Sequence, residues 1–389
     1  MPILAKRVQK LHSSGIRVIA GLADKIPACI KLHIGIPDFF TPANIKTAGC
    51  AAIESNLTAY SPNAGETPVR QALAKKTNQQ FRLMSRSKRR DVINYEQVVL
   101  TAGGMGALST CINALLDPGD EIILPNPGWP NFFMIPLAQG VKFKFYPLFV
   151  KNNFVPRPAD IESQITAKTK VILLNTPANP TGAVIPRVVL EAIVKIAKRH
   201  DLWIICDECY EAIIFEGQHF SPFVLDPKRV VVVRSFSKTY AMTGWRVGYT
   251  ISNLEVANKI RELNECQIAC VPTFCQWAAK AALEGPQTSV RQMVNSYKKR
   301  RDLVVQLLKQ YGLYQYTPAG AFYILIDISK SGLDSETFAL KLLRDRQVAV
   351  APGATFGSQA KKYVRICFAV KEKDLREGIR RIAAQVSGK

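Results

Sequence analysis

Lys238 stands in the run Ser235-Phe236-Ser237-Lys238-Thr239-Tyr240-Ala241-Met242-Thr243-Gly244-Trp245-Arg246-Val247-Gly248-Tyr249, which follows the apolar segment Val230 to Val233 after one residue, Arg234. Flanked by Phe236, Tyr240, Met242 and Trp245, this lysine is not placed as a solvated surface charge. Partial desolvation lowers the pKa of an ammonium group, and the neutral amine is the form that attacks a carbonyl carbon. Other residues of suitable type punctuate the chain at the ends of apolar segments. Asp207 and Tyr210 follow Leu202 to Cys206, Asn179 follows Val171 to Leu174, and Trp129 follows Glu121 to Leu124. Gly103 and Gly104 lie between an apolar segment and a helical one, where backbone N–H groups can turn toward an anion at the positive end of the helix. Arg365 sits between Val364 and Ile366, a poor place for a surface arginine.

Positioning these groups requires a particular scaffold. From Gln97 onward, short, continuously apolar segments alternate with helical ones: Val98 to Thr101, Glu121 to Leu124, Val171 to Leu174, Trp203 to Cys206 and Arg229 to Arg234 read as strands. Such strands imply an α/β fold with a mostly parallel central sheet and helices on both faces. Ligands bind beyond the carboxyl ends of the strands in such sheets, and Gly103, Gly104, Trp129, Asn179, Asp207, Tyr210, Ser235 and Lys238 all follow strands. Upstream, residues 1 to about 30 read as a helix or arm with a turn near Pro27, and Lys31 to Phe39 reads as a short strand broken at Gly35 and Pro37. The turn-rich loop Ala59 to Arg70 leads into a helix over Val69 to Gln80, and the basic segment 85 to 91 reads as an exposed connection. Downstream, long helical stretches over Leu254 to Leu283 and Val290 to Lys309 precede a smaller α+β part. There, strands near Ala321 to Ile328, Val348 to Ala351 and Tyr363 to Phe368 accompany helices Ser335 to Arg344 and Glu372 to Val386. The domains are expected at 1–45 (N-terminal arm and part of a small domain), 46–285 (large domain) and 286–389 (C-terminal small domain).

About residues 30 to 385 resemble, block by block, the class I/II pyridoxal-phosphate-dependent aminotransferases of fold type I. The blocks are Gly103-Gly104-Met105-Gly106-Ala107-Leu108, Asn126-Pro127-Gly128-Trp129-Pro130-Asn131, Asn175-Thr176-Pro177-Ala178-Asn179-Pro180-Thr181-Gly182, Asp207-Glu208-Cys209-Tyr210, the Lys238 stretch and Tyr363-Val364-Arg365-Ile366-Cys367-Phe368. The resemblance implies pyridoxal 5'-phosphate as cofactor, with Lys238 as the Schiff-base lysine and proton carrier and Asp207 on the pyridinium nitrogen. By the same resemblance Tyr210 and Asn179 bind the phenolic oxygen and Trp129 stacks on the ring. Gly103, Gly104 and Met105, with Ser235, Ser237 and Arg246, hold the phosphate. Arg365, helped by Gly35, binds the substrate α-carboxylate in a site that Trp129 and Asn179 also border. Tyr60 resembles the residue that reaches the phosphate from a neighbouring subunit, which implies a homodimer with shared sites. The implied activity is transfer of an amino group from a neutral, aromatic or aspartate-like L-amino acid to a 2-oxo acid such as 2-oxoglutarate. Two departures touch specificity. Relatives often carry a hydroxyl residue or a lysine where Met105 stands, and Gln267-Ile268-Ala269-Cys270-Val271-Pro272-Thr273 lacks the arginine some dicarboxylate-specific relatives have there.

Composition bounds the alternatives. The chain has 389 residues, 48% hydrophobic, with a net charge of +22 from 52 Lys and Arg against 30 Asp and Glu. No uncharged apolar run of about 18 residues is present, so no membrane span is expected, and charges interrupt the N-terminus where a secretory signal would be apolar. A cytoplasmic location follows as an expectation. The basic clusters 86–90 and 298–301 lack an accompanying nucleic-acid-binding motif, so a solvated basic surface is expected and nucleic acid is not. Nine irregularly placed cysteines do not outline a disulfide framework or a metal site; Cys206, Cys209, Cys266, Cys270 and Cys275 read as core thiols. Two other readings stay open at this point: a lyase reaction of the same cofactor, such as β-elimination, and a basic nucleic-acid-binding or regulatory protein on an enzyme-like fold.

Overall fold

A computed structural model describes residues 2–84 and 93–388; the basic segment 85–91 lies wholly outside them. Twelve strands occur among the described residues: β1 (Ile30–Lys31), β2 (Val98–Ala102), β3 (Glu121–Asn126), β4 (Lys142–Pro147), β5 (Thr169–Asn175), β6 (Trp203–Asp207), β7 (Val230–Ser235), β8 (Val247–Ile251), β9 (Tyr323–Asp327), β10 (Val348–Ala349), β11 (Ala351–Pro352) and β12 (Tyr363–Cys367). The central sheet has seven strands in the order β2-β8-β7-β6-β5-β3-β4. Its alternate residues are buried in opposite layers: Val230 and Val232 pack on one side, Val231 and Val233 on the other. Helices cover both faces, which is why these strands are apolar throughout.

The mostly parallel sheet is therefore present, with two additions. β4 was absent from the sequence reading, and so was β8, which runs antiparallel to both β2 and β7. Because β8 runs backward, its first residue lies at the edge where the neighbouring strands end: Val247 is opposite Ala102 and Gly248 opposite Ser235. Arg246, just before the strand, is thereby delivered to the carboxyl edge of the sheet. Gly248 is required there, since a Cβ would come within 2.4 Å of the Gly103 carbonyl carbon.

In the smaller part, β12 lies between β9 and β11, with Arg365 opposite Leu325 and Ala351. The expected strand over Lys31 to Phe39 is reduced to the two residues of β1, which pair in parallel with β10. Gly35 and Pro37 interrupt regular pairing beyond that point, and the segment continues as an irregular strap, with Leu32 accepting from the Cys367 N–H at 2.7 Å. The expected helix over Leu254 to Leu283 is two helices, Leu254–Ile268 and Thr273–Glu284, because Ala269 takes a positive φ of 58° and Pro272 follows. Cys266 is exposed and Cys270 partly so, contrary to their reading as core thiols. The buried face of the first helix passes through Val256, Ile260 and Asn264 and leaves Cys266 outside, and Cys270 lies in the connection between the two helices.

Candidate active site

Lys238 lies in the short helix Phe236–Thr239 that follows β7, and the Ser235 side chain caps its start by accepting from the Ser237 N–H at 3.1 Å. The amine points into a cavity, where Nζ donates to the Gly35 carbonyl at 2.6 Å and lies 6.0 Å from the centre of the Phe322 ring. Burial lowers its pKa to about 8; Arg365 and Arg246 push the same way, against nearby Cys209 and Cys367. Gly35 must be glycine, because a Cβ would come 1.8 Å from the Tyr323 hydroxyl. That hydroxyl shares a 2.7 Å hydrogen bond with the Tyr210 hydroxyl.

Asp207 ends β6, is 5% exposed and accepts from the Cys209 N–H at 3.0 Å. It belongs to no ion pair among the described residues, and burial raises its pKa to about 6. Asn175 fixes the adjoining loop: its Nδ2 donates to the Asp207 carbonyl at 3.1 Å and its Oδ1 accepts from the Asn179 N–H at 2.8 Å. Arg365 is 2% exposed. Its Nη1 donates to Asn179 Oδ1 at 2.9 Å, Nη2 donates to the His33 carbonyl, and Nε is buried with no acceptor. The guanidinium lies between the rings of Tyr323 and Phe356, 4.4 and 4.9 Å from their centres, with no carboxylate beside it.

A third polar group forms at the start of the helix Gly103–Leu115. Neither a side-chain cap nor an acidic residue in its first turn occupies those N–H groups. Arg246 is in no ion pair among the described residues; its Nη2 donates to the Ala102 carbonyl at 3.3 Å. At Gly104 a Cβ would meet Cys209 Sγ at 2.7 Å, so the backbone itself forms the wall.

One cavity of about 590 Å³ brings together Gly35, Gly104, Met105, Trp129, Asn179, Asp207, Tyr210, Ser235, Ser237, Lys238, Arg246 and Arg365. Gly103 is not itself in the wall; it has a φ of +71°, and a Cβ there would come 2.7 Å from Arg246 Nη2. Tyr60 is not brought in: it is 89% exposed, on a loop tied down by Thr273 Oγ1 to the Ala59 carbonyl and by Gln276 Nε2 to Ser61 Oγ, both at 2.7 Å. The sequence reading missed Ser14, Ile16, Arg17, Asn175, Cys209 and Tyr323 as wall residues. Asn175 and Cys209 fall inside blocks already singled out, so strand-end position was an available signal. Arg17 and Tyr323 come from elements whose approach depends on tertiary packing. No cluster of His, Cys, Asp or Glu suited to a metal ion occurs among the described residues.

The chain belongs to the class I and II aminotransferases, whose family model matches residues 27–382. It is 36% identical over 388 residues to the aspartate/prephenate aminotransferase of Thermus thermophilus, covering 98% of each chain. It is 34% identical to the aspartate aminotransferase of Pyrococcus horikoshii, covering 99% of this chain and 97% of the relative. Among solved structures, the Thermus thermophilus aspartate aminotransferase with maleate superposes with a TM-score of 0.93 at 34% identity, covering 99% of this chain and 100% of the other. The fold is the type I fold of those enzymes, and the protein is an aminotransferase acting between amino acids and 2-oxo acids.

Proposed function

We propose that pyridoxal 5'-phosphate is held at Lys238 and that the cavity moves an amino group between an L-amino acid, neutral, aromatic or aspartate-like, and a 2-oxo acid. The observation that carries this reading is that Lys238, Asp207 and Arg365 border one cavity, each buried or enclosed, and none has an oppositely charged partner among the described residues. Burying an unpaired charge is costly, so three together imply ligands that complete them.

The side chains suit the group. Asp207, raised to about 6 by burial and with no cation in ion-pair contact, is fitted to a protonated ring nitrogen. The Gly104 and Met105 N–H groups, the Ser235 and Ser237 hydroxyls and Arg246 would hold the phosphate, with Gly103 allowing the close backbone turn. Tyr210 and Asn179 would bind the phenolic oxygen and Trp129 would cover the ring. When bound, the cofactor supplies an electrophilic aldehyde carbon and a ring that draws electrons from the substrate α carbon.

Arg365 would take the substrate α-carboxylate, for which Nε is free and Nη1 can leave Asn179. Lys238 Nζ, its pKa near 8, would accept the α proton, and the Gly35 carbonyl orients it meanwhile. Since that carbonyl is engaged with the amine, any help from Gly35 to the carboxylate would come from its N–H. Tyr60, facing outward, would reach the phosphate of a second copy, making the enzyme a homodimer. All nine cysteines are free thiols, which suits a reducing cytoplasm. The division at 1–45, 46–285 and 286–389 is the domain arrangement we propose, with the large part holding the cofactor.

The test is transfer of a nitrogen-15 label. Purified protein supplied with the cofactor, one labelled amino acid at a time and 2-oxoglutarate should yield labelled glutamate and the donor's 2-oxo acid. Release of labelled ammonia with no need for an acceptor would contradict the reading.

A further inference from the structure

The cavity wall holds one more cation than the proposed chemistry uses. Lys238, Arg246 and Arg365 are engaged by the cofactor and the α-carboxylate, and Arg17 is left over. Arg17 belongs to the helix Gly15–Ala23, which turns Ile16, Arg17 and Ala20 toward the cavity; Ala20 stands three residues from Arg17 and four from Ile16, so it lies on the same side of the helix as each. The helix is seated closely, since a Cβ on Gly15 would come 2.3 Å from Thr355 Oγ1. Thr355 adjoins Phe356, whose ring lies against Arg365. The element carrying Arg17 is thus docked on the same short segment that supports the α-carboxylate site.

The Arg17 guanidinium has no hydrogen-bond or ion-pair partner among the described residues. The wall otherwise available to a substrate side chain carries no charge: Ile16, Ile36, Met105 and Trp129 are apolar or aromatic, and Ser14, Asn131 and Thr243 are polar but neutral. Met105 offers a thioether and no charge, and the segment 267–273 contains no Lys or Arg.

We infer that Arg17 is the specificity-determining residue that binds the distal carboxylate of an acidic amino donor, and of a dicarboxylic 2-oxo acceptor, in the cavity where Arg365 binds the α-carboxylate. This rests on the transaminase reading of the site. A guanidinium fork matches a carboxylate in a bidentate pair, and its flexible apolar stem lets it swing outward when a neutral or aromatic side chain enters instead. Arg17 is exposed, so the pair is partly screened by water and salt, and it strengthens as salt falls.

The test compares wild type with Arg17→Gln and Arg17→Lys, each as cofactor-loaded enzyme whose thermal unfolding has been checked. The readouts are kcat/KM for L-aspartate and L-glutamate against L-phenylalanine and L-leucine, and calorimetric binding of glutarate against butyrate at two salt concentrations. Arg17→Gln should lower the acidic-to-aromatic ratio of kcat/KM by about 10- to 100-fold and the glutarate-to-butyrate binding ratio similarly. The salt dependence of glutarate binding should fall with it, and Arg17→Lys should retain part of each. Unchanged ratios in both variants, or a wild type that does not bind glutarate better than butyrate, would overturn the inference while leaving transamination intact. Failure of the wild type to transfer nitrogen from any donor would instead sink the transaminase reading on which it rests.

Discussion

Asp207 and Glu208 are adjacent residues at the end of β6, both carboxylic acids and both buried, yet their surroundings are opposite. Asp207 faces the cavity, with a backbone N–H and no cation in ion-pair contact. Glu208 turns to the far side, where its Oε2 accepts from Arg234 Nε and Nη2 at 3.0 and 2.8 Å and lies 3.2 Å from His219 Nε2. The neighbouring strand repeats the division: Ser235 borders the cavity and Arg234 meets Glu208, with Nη1 donating to Gln80 Oε1 at 2.7 Å. Burial alone would raise both pKa values. Asp207 is left raised at about 6, whereas Arg234 and His219 outweigh burial at Glu208 and hold it at about 2. Equal depth therefore does not mean equal surroundings: Glu208 is paired within the scaffold, and Asp207 is left without an ion-pair partner at the cavity, as the proposed ligand site requires.

The contrast is sharpest on the paired side. Glu208→Ala strands the Arg234 guanidinium inside the protein and should cost about 3–5 kcal/mol in denaturant unfolding. A loss below 1 kcal/mol would mean that the pair does not hold the scaffold. Removing the charge of Asp207 should act in the opposite direction on stability. With a folded pKa of about 6 against an ordinary 3.8, proton uptake by Asp207 favours folding of the cofactor-free protein below 3.8, and that contribution is lost as the pH rises through about 6. Asp207→Asn should consequently stabilise the cofactor-free protein by up to about 3 kcal/mol above pH 6 and have little effect below pH 4, while weakening cofactor retention. Urea titrations at pH 4 and 7, paired with cofactor dissociation rates, separate the two effects. Destabilisation at pH 7 with cofactor retention unchanged would erase the distinction between the two carboxylates.

How far this was legible in the sequence depends on how local each cause is. Lys238, Asp207, Tyr210 and Asn179 follow continuously apolar strands, and strand-end position is a local pattern, so their gathering at one edge could be anticipated. β8 could not be seen in the same way: its first three residues, Val247 to Tyr249, are the end of the Lys238 stretch itself and did not stand out as a separate strand. Its reversed direction, which brings Arg246 to the edge, is a property of pairing. β4 had a visible cue in the alternation of Lys142, Phe143, Lys144 and Phe145 at a sheet edge. The strap from Ile30 to Gly35 resisted assignment because its partners, β10 and Cys367, are more than 300 positions away. Arg17 was illegible for the same reason, since only the close seat of Gly15 on Thr355 brings its helix to the cavity.

The central claim, that the enclosed unpaired amine is where the cofactor attaches, is tested most directly by reductive trapping. The cofactor-free protein would be mixed with pyridoxal 5'-phosphate across a range of pH, reduced with borohydride and mapped by peptide mass spectrometry. The predicted result is a single adduct on Lys238, with an initial trapping rate that climbs through about pH 8, where burial places the amine's pKa. Adducts spread over surface lysines with Lys238 unmodified, or a rate that rises only near the ordinary lysine value of 10.5, would contradict it.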